Sequence, residues 1–159
     1  MAAFLKPYNQ LAKYPFGRWL FSKGVCWRAP YFASIKPYVV DYRAGYIEVR
    51  IPDRRSVHNH IRSVHAIALC NLAEVCGALT MDSQTPPHLS WIPAGMTVKY
   101  LKRAQGTITG KCSLNAADVK EGKVVTHIDA FDPQGTLVFI ADITFHISPA
   151  RATADNTGK

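Results

Sequence analysis

Acidic residues are scarce in the first third of this sequence. Residues 1–50 contain only Asp41 and Glu48 against eight lysines and arginines, a local charge of +6, and the chain of 159 residues carries +8 overall. A basic surface attracts nucleic acids, anionic membranes or phosphorylated ligands, although a soluble protein of high isoelectric point fits the same charge. Because nucleic-acid binding would depend on charge alone, no specific nucleic-acid partner is predicted.

Metal-binding patterns are also missing. The four cysteines form no CxxC pair, and no histidine stands at zinc-ligand spacing from them. His58, His60 and His65 lie close together in the sequence, but no carboxylate or thiol completes a ligand set with them. We therefore predict no metal and no cofactor. The cysteines are interpreted as reduced thiols, which indicates a cytoplasmic protein, and prolines and basic residues interrupt any N-terminal secretory signal.

The composition is that of a globular protein, with 48% apolar and 19% charged residues and no internal repeat or low-complexity tract. The length suits one domain with a sizeable core. We predict an N-terminal helical segment over residues 1–29 and a main domain over residues 30–148. Residues 149–159 have little to bury and are predicted to form a disordered tail.

The N-terminal segment is rich in aromatic residues interleaved with basic ones. A broken amphipathic helix fits this pattern, with Pro15 as its kink or boundary. We favour a helix that packs its aromatic side on the domain, and contact with a membrane surface is the alternative. The aromatic residues are Phe4, Tyr8, Tyr14, Phe16, Trp19, Phe21 and Trp27.

The segment after Pro30 predicts two antiparallel strands. One lies within residues 31–40, which are rich in aromatic and β-branched side chains, and the other is residues 46–51, where apolar and polar residues alternate. Gly45 marks the turn between them. A polar loop then leads into a helix over residues 66–81.

The rest of the main domain is strand-like. Residues 82–88 predict a loop closed by two prolines, and short turns separate the segments that follow, which predicts an antiparallel meander. One long helix with one antiparallel sheet indicates an α+β fold. The four predicted strands of the meander are residues 97–101, 107–114, 124–132 and 137–147.

Glu74 is the only acidic residue between Asn59 and Met81. The helix around it is apolar on nearly every face, and such a helix is normally buried. A buried carboxylate costs free energy unless it is hydrogen-bonded, paired or protonated. Glu74 is therefore the first candidate for chemistry, with a structural carboxylate satisfied by the backbone and Asn71 as the alternative. One sheet face cannot cover such a helix, so we expect a sheet that curls around it, helped by a second copy of the chain.

The order of elements and the spacing of three residues resemble a known family. Asn59 precedes His65 by six residues, and Glu74 follows His65 by nine, within a Leu-Ala-Glu sequence. This pattern, with residues 91–101, resembles the hotdog-fold thioesterase superfamily, in particular its phenylacetyl-CoA-thioesterase-like branch. The resemblance covers residues 30–147. It implies a hotdog fold, an antiparallel sheet wrapped around a long central helix, here with an extra N-terminal helix.

The resemblance implies an acyl-CoA thioesterase in which Glu74 acts as general base on water or as nucleophile. Backbone N–H groups of Ala66 and Ile67, at the helix start, would stabilise the charge that develops on the thioester oxygen. Asn59 would position water or the carboxylate, and His65 would orient the loop or the substrate carbonyl. In this family the acidic residue works across a subunit interface, which implies a homodimer or a dimer of dimers.

Ala66 and Ile67 replace the Gly-Gly pair that the family has at this position. Their N–H groups are still donors, but their side chains narrow the approach of a substrate to the backbone. A non-catalytic acyl-CoA- or lipid-binding hotdog protein is therefore one alternative. A hotdog dehydratase or hydratase is another, although the proline- and glycine-rich lead-in of those enzymes is missing.

Several basic residues are candidates to contact the phosphates of coenzyme A, which enters only as part of the substrate. Solvated surface is the alternative for each of them. The candidates are Arg54, Arg55, Arg62, Lys99, Lys102 and Arg103.

Overall fold

The computed structural model describes residues 3–150 of the chain. These residues contain three α-helices and six β-strands. This is the predicted α+β composition. The helices are α1 (Leu5–Leu11), α2 (Gly17–Arg28) and α3 (Ala66–Gln84). The strands are β1 (Tyr38–Arg43), β2 (Tyr46–Ile51), β3 (Leu89–Tyr100), β4 (Ile108–Ser113), β5 (Gly122–Phe131) and β6 (Leu137–Pro149).

All six strands form one antiparallel sheet in the order β1-β2-β4-β5-β6-β3. The predicted four-strand meander is correct for β4, β5 and β6 and wrong for β3. α3 carries the chain across the sheet to its far edge, so that β3 pairs with β6, from Leu89 opposite Pro149 to Tyr100 opposite Phe139. The chain then returns to the middle of the sheet to form β4.

Element boundaries differ from the prediction at several places, most of all in β3, which begins at Leu89 and not at residue 97. Residues 46–51 form a strand as predicted, but the strand before them begins only at Tyr38, because Pro30–Ser34 form a 3-10 turn. α3 continues to Gln84, so the first residues of the predicted loop 82–88 are helical. The predicted tail, residues 149–159, lies almost wholly outside the described residues, and Pro149 ends β6.

α3 lies close to the sheet because two glycines leave room for it. A Cβ atom on Gly110 of β4 would lie 3.0 Å from Cys76 Sγ and from Leu72 Cγ, and one on Gly77 would lie 3.0 Å from Ile143 Cδ1. Of the described helices, α3 alone has the length and hydropathy to cross a membrane, but most of it is buried inside the fold. It is therefore the core helix, as the sequence predicts.

The N-terminal helices cover the β1 edge of the sheet. The rings of Tyr8 and Phe21 pack on Tyr42 with centroids 5.6 and 6.0 Å away. The Ser22 hydroxyl accepts a hydrogen bond from the backbone N–H of Val39 (2.9 Å), and the Tyr8 hydroxyl donates to the Val40 carbonyl (3.2 Å). These aromatic side chains pack on the domain as favoured above, and two backbone groups at this edge, the Val39 N–H and the Val40 carbonyl, have partners.

Candidate active site along the central helix

The sheet leaves one stripe of α3 uncovered. The stripe consists of Ile67, Cys70, Glu74 and Ala78, which follow one another at intervals of three or four residues and so share a helix face. Ile67 is 56% exposed, and the other three are half-buried. The rest of the helix is covered within the chain, and a second copy that covers this stripe remains a prediction.

The Glu74 carboxylate takes part in none of the ion pairs or side-chain hydrogen bonds formed within residues 3–150. Asn71, its candidate structural partner, instead donates from Nδ2 to Ser34 Oγ at 3.0 Å. The interpretation of Glu74 as a structural carboxylate satisfied by Asn71 is therefore wrong. The carboxylate is free to meet a ligand or a second chain.

The inner face of β3 forms a wall beside this stripe. Residues directly opposite each other in an antiparallel pair point to the same face, and Met96, Val98 and Tyr100 stand opposite the buried residues Ile143, Ala141 and Phe139 of β6. Met96 and Tyr100 are nevertheless 37% and 50% exposed, because α3 does not cover this edge of the sheet. The stripe and the β3 wall together border an open, mostly apolar groove.

A contact between α3 and β3 bridges this groove. Cys70 Sγ lies 3.3 Å from the Tyr100 hydroxyl. Partial burial, together with the hydrogen bond to Cys70, raises the pKa of Tyr100 to about 12. The phenol is therefore protonated at neutral pH, so it can donate a hydrogen bond but does not act as a base.

His65 caps the start of α3. Its Nδ1 accepts a hydrogen bond from the Ile67 backbone N–H at 3.1 Å, so the Nε2 of the neutral ring carries the proton. One of the two predicted oxyanion donors thus already has an acceptor within the chain. The Ala66 N–H, the other predicted donor, has no backbone or side-chain acceptor among the described residues.

Glu74 and the helix start do not meet within one chain. Glu74 follows Ala66 by eight positions, and a rise of 1.5 Å per residue places them about 12 Å apart along the helix axis. A thioester whose oxygen contacts the helix start therefore cannot also contact the carboxylate of the same helix. A second chain would have to bring these groups together.

Asn59 serves the loop before α3. Its Oδ1 accepts from the N–H groups of Ile61 and Ser63, both at 3.1 Å, and its Nδ2 donates to the Ser63 hydroxyl at 2.8 Å. Arg62 within this loop has a φ of 57°, a backbone conformation that needs such support. Asn59 therefore holds the loop that presents His65.

A cavity of about 170 Å³ lies beside the start of α3, with His65, Ile67 and Asn71 among its walls. Asn71 is 5% exposed, and its Oδ1 accepts no hydrogen bond from any residue in the described part of the chain. A buried carbonyl oxygen without a partner costs free energy that a ligand donor would recover. Sequence reasoning assigned Asn71 no site role. The available signal was that Asn71 and Glu74 are the only strongly polar side chains from residue 66 to residue 81.

Two of the predicted substrate-binding arginines have partners within the chain. The Arg54 guanidinium donates to the Ser34 carbonyl and the Ser56 hydroxyl, which ties two 3-10 turns together. The Arg103 guanidinium donates to the Ile61 carbonyl and so lies beside the Asn59 loop.

The other four candidate cations are exposed. Lys99 stands opposite Ile140 on the outer face of the sheet, away from the groove. Arg62 lies in the loop that Arg103 contacts, Lys102 precedes Arg103 in the connection between β3 and β4, and Arg55 begins the 3-10 turn Arg55–Val57. The structure thus brings Arg62 and Arg103 together beside the helix start and separates Lys99 from them.

A larger hollow of about 670 Å³ lies on the outer face of the sheet, over β2 and β4. Three of its charged side chains pair with one another, because Glu48 contacts Arg50 at 3.1 Å and Lys111 at 3.9 Å. None of the residues predicted to be catalytic lines it. The groove beside α3 therefore remains the candidate active site.

Several solved structures have folds similar to that of this chain. The structural genomics protein APC5556 is 39% identical, with 94% of this chain and 98% of that chain covered and a TM-score of 0.83. A probable thioesterase from Pseudomonas aeruginosa is 20% identical, with 76% and 88% covered and a TM-score of 0.71. A variant of the phenylacetic acid degradation protein PaaI from Thermus thermophilus is 15% identical, with 73% and 96% covered and a TM-score of 0.63.

These likenesses confirm the predicted hotdog fold, which the thioesterase-family neighbours share. No curated protein matches the sequence significantly. Residues 17–147 match the family described as a domain of unknown function, DUF4442. Since that match spans most of the chain, the protein belongs to the DUF4442 family, and its fold is the hotdog fold.

Proposed function

We propose that this protein is an acyl-CoA thioesterase, a hydrolase that converts an acyl thioester into the free acid and a thiol. One observation carries the proposal: a half-buried carboxylate, Glu74, has no partner within the described residues and faces an apolar groove at the centre of a hotdog fold. An unpaired carboxylate in such surroundings costs free energy, and a catalytic role would explain why the sequence retains it. The thioesterases among the structural neighbours support the reaction class.

In the proposed reaction, Glu74 takes a proton from water while the water oxygen bonds to the thioester carbonyl carbon. The negative charge moves to the carbonyl oxygen, where an N–H donor such as that of Ala66 stabilises it. Collapse of this intermediate re-forms the carbonyl and breaks the C–S bond. The thiolate leaves with the proton that Glu74 held, and the products are the acid and the thiol. In the nucleophilic alternative, Glu74 attacks the carbon itself and water hydrolyses the anhydride.

The proposal requires a second copy of the chain. Glu74 lies about 12 Å from the start of its own helix, as the rise of 1.5 Å per residue gives, so the oxyanion donors must come from another α3. The uncovered α3 stripe and the exposed inner face of β3 are apolar surfaces that a second copy could cover. We therefore propose a homodimer, alone or paired into a dimer of dimers, with acyl-CoA bound between the copies.

The structure supports indirect roles for the two other predicted catalytic residues. His65 caps α3 through Nδ1 and exposes a ring whose Nε2 carries a proton, so it can orient the substrate carbonyl. Asn59 holds the loop before His65 with both ends of its amide. Arg62 and Arg103, beside this loop, are the predicted cations best placed to contact the phosphates of coenzyme A.

Replacement of the Glu74 carboxylate tests the proposal. Glu74→Gln keeps the shape of the side chain and removes the base, so we expect kcat to fall by at least about 100-fold across a panel of acyl-CoAs. Glu48→Gln is the matched control, because Glu48 is also half-buried but pairs with Arg50 on the outer face of the sheet. It should keep wild-type turnover, and release of free thiol is the measurement.

Two results would contradict the proposal. Glu74→Gln that purifies folded and hydrolyses acyl-CoAs at the wild-type rate would exclude the assigned role of Glu74. Wild-type protein that hydrolyses none of the panel would exclude the activity itself.

A non-catalytic acyl-CoA-binding protein is the second candidate, because His65 occupies the Ile67 N–H and the Ile67 side chain stands exposed at the helix start. Calorimetric titration with a non-hydrolysable acyl-CoA distinguishes the two candidates. Binding without turnover at any chain length supports the second, and turnover that Glu74→Gln abolishes excludes it.

A further inference from the structure

α2 is apolar on two opposite faces. Phe21 and Val25 are buried against α1 and β1, whereas Trp19, Leu20 and Trp27 recur at helical spacing on the other side. Much of that side is open to solvent. Its side chains are 53%, 52% and 84% exposed, respectively.

Phe16 extends this uncovered face. It is 85% exposed and precedes α2 in a left-handed conformation with a φ of 62°. Large apolar side chains this exposed, and this close together, mark an interaction site rather than ordinary surface. We call Phe16, Trp19, Leu20 and Trp27 the α2 patch.

The charged side chains of the segment that carries the α2 patch all have one sign. Residues 3–40 contain no aspartate or glutamate. Lys23 stands over the Trp19 ring, 5.5 Å from its centroid. All the cations of this segment are exposed, namely Lys6, Lys13, Arg18, Lys23, Arg28 and Lys36.

Two hollows run along the sides of Trp27. One of about 560 Å³ has Leu20 and Arg28 among its walls, and the other, of about 440 Å³, has Trp19 and Lys36 among its walls. Lys23, Arg28 and Lys36 therefore share one surface with the exposed aromatic rings.

From this combination we propose that the α2 patch docks the protein on an anionic lipid bilayer. Tryptophan and other aromatic rings favour the boundary between headgroups and acyl chains, and lysine and arginine meet the anionic headgroups. Each cation near such a surface strengthens binding about fivefold. The proposal revises the prediction that this helix only packs on the domain, because one face packs and the other remains exposed.

An acidic protein and a second copy of the chain fit the α2 patch less well. Protein interfaces are depleted of lysine, yet four of the six cations in residues 3–40 are lysines. A second copy that pairs along β3 would lie at the opposite end of the sheet, because β1 and β3 are its two edge strands. The α2 patch would then stay exposed in the dimer.

Vesicle co-sedimentation of the full-length protein tests the proposal. We expect binding to vesicles of equal parts phosphatidylcholine and phosphatidylserine, and at least about tenfold weaker binding to phosphatidylcholine alone. The variant Phe16→Asn/Trp27→Gln should lose binding at least about tenfold, because its two changes remove apolar rings from the lipid boundary. Asn is used at position 16 because it tolerates the left-handed conformation.

Val125→Thr is the matched control, since Val125 is 53% exposed on β5, away from the α2 patch. It should bind the anionic vesicles as the wild type does. Equal binding of the patch variant and the wild type would overturn the proposal, as would wild-type protein that stays in the supernatant. Light scattering that shows the patch variant in a smaller assembly than the wild type would also overturn it, because the α2 patch would then be a contact between copies. Loss of vesicle binding should leave thioesterase turnover on soluble acyl-CoA unchanged, so the two proposals can fail separately.

Discussion

His65 could act both as a helix cap and as a contact to the substrate. A single substitution would remove both and could not distinguish them. As the residue before the first turn of α3, it accepts the Ile67 N–H, and as an exposed ring it faces the cavity beside Asn71. A helix cap stabilises the folded state whether or not a substrate is bound. A contact with the substrate changes turnover and leaves the stability of the free protein unchanged.

Two substitutions at His65 separate these uses. His65→Ala removes the cap and should lower the free energy of unfolding by about 1 kcal/mol, and His65→Asn should restore most of it, since Asn is a strong N-cap. Urea denaturation measures both. If His65→Ala unfolds at the wild-type urea concentration, the cap contributes nothing. If stable His65→Asn loses turnover, the ring itself contacts the substrate.

Asn71 illustrates what the sequence could not show at the residue scale. From the sequence, its nearest candidate partner is Glu74, one helical turn away. In the structure its amide faces Ser34, which comes from the 3-10 turn before β1 and is 37 residues away in the chain. A partner at that separation depends on how the turn folds over α3, which no local pattern encodes.

At the scale of elements, the close approach of α3 to β4 sets a limit on side-chain size. Gly110→Ala places a methyl group 3.0 Å from Cys76 Sγ and Leu72 Cγ, and overpacking of this kind costs about 1–3 kcal/mol. We expect a lower melting temperature and no change in the oligomeric state.

Gly24→Ala supplies the control for this prediction. Gly24 lies within α2, and no atom lies within 4 Å of the position that an alanine methyl group would take there. Alanine should therefore stabilise the protein by about 0.5–1 kcal/mol through helix propensity. The same substitution should thus act with opposite sign at the two positions. A melting temperature for Gly110→Ala at or above that of the wild type would mean that α3 moves away from the sheet without cost.

Elements with a strong local pattern could be predicted from the sequence. Residues 46–51 alternate apolar and polar side chains and form β2, and the apolar run from Ala66 forms α3. The position of β3 could not be predicted, because turn signals between successive strands suggest pairing with the next strand, while β3 pairs with β6. That pairing follows from the path of α3 across the sheet, which is a property of the whole chain.

The candidate site likewise has features that could be predicted from the sequence and features that could not. Glu74 could be singled out because a carboxylate in an apolar helix is visible in the sequence. Its exposure along the α3 stripe could not be predicted, because it depends on which face of α3 the sheet leaves uncovered. The hydrogen bonds of Asn59 to Ser63 and of Arg54 to the Ser34 carbonyl could not be predicted either, because they depend on how the backbone folds.

At the scale of the whole molecule, the groove beside α3 predicts a dimer. Light scattering coupled to size-exclusion chromatography should give twice the mass of one chain, or four times that mass for a dimer of dimers. Met96→Lys places a charge on the inner face of β3 and should give monomers, because a charged side chain opposes pairing there. Turnover should fall with the dimer fraction, since each site needs groups from both chains.

Tyr38→Lys is the control for this prediction, because Tyr38 is equally exposed, at 38%, but lies on β1 at the other edge of the sheet. It should remain dimeric. Wild-type protein that is monomeric and fully active would contradict a shared site.

The hydrogen bonds that Ser22 and Tyr8 make to the backbone of β1 also limit how many chains can join. A sheet with two open edges can add copies at both ends and grow into a fibre. Here α1 and α2 close one edge, so pairing through β3 uses up the only edge left open in the described part of the chain. Assembly by strand pairing then stops at two copies. The N-terminal helices thereby prevent further polymerisation. This role does not depend on whether the protein binds a membrane.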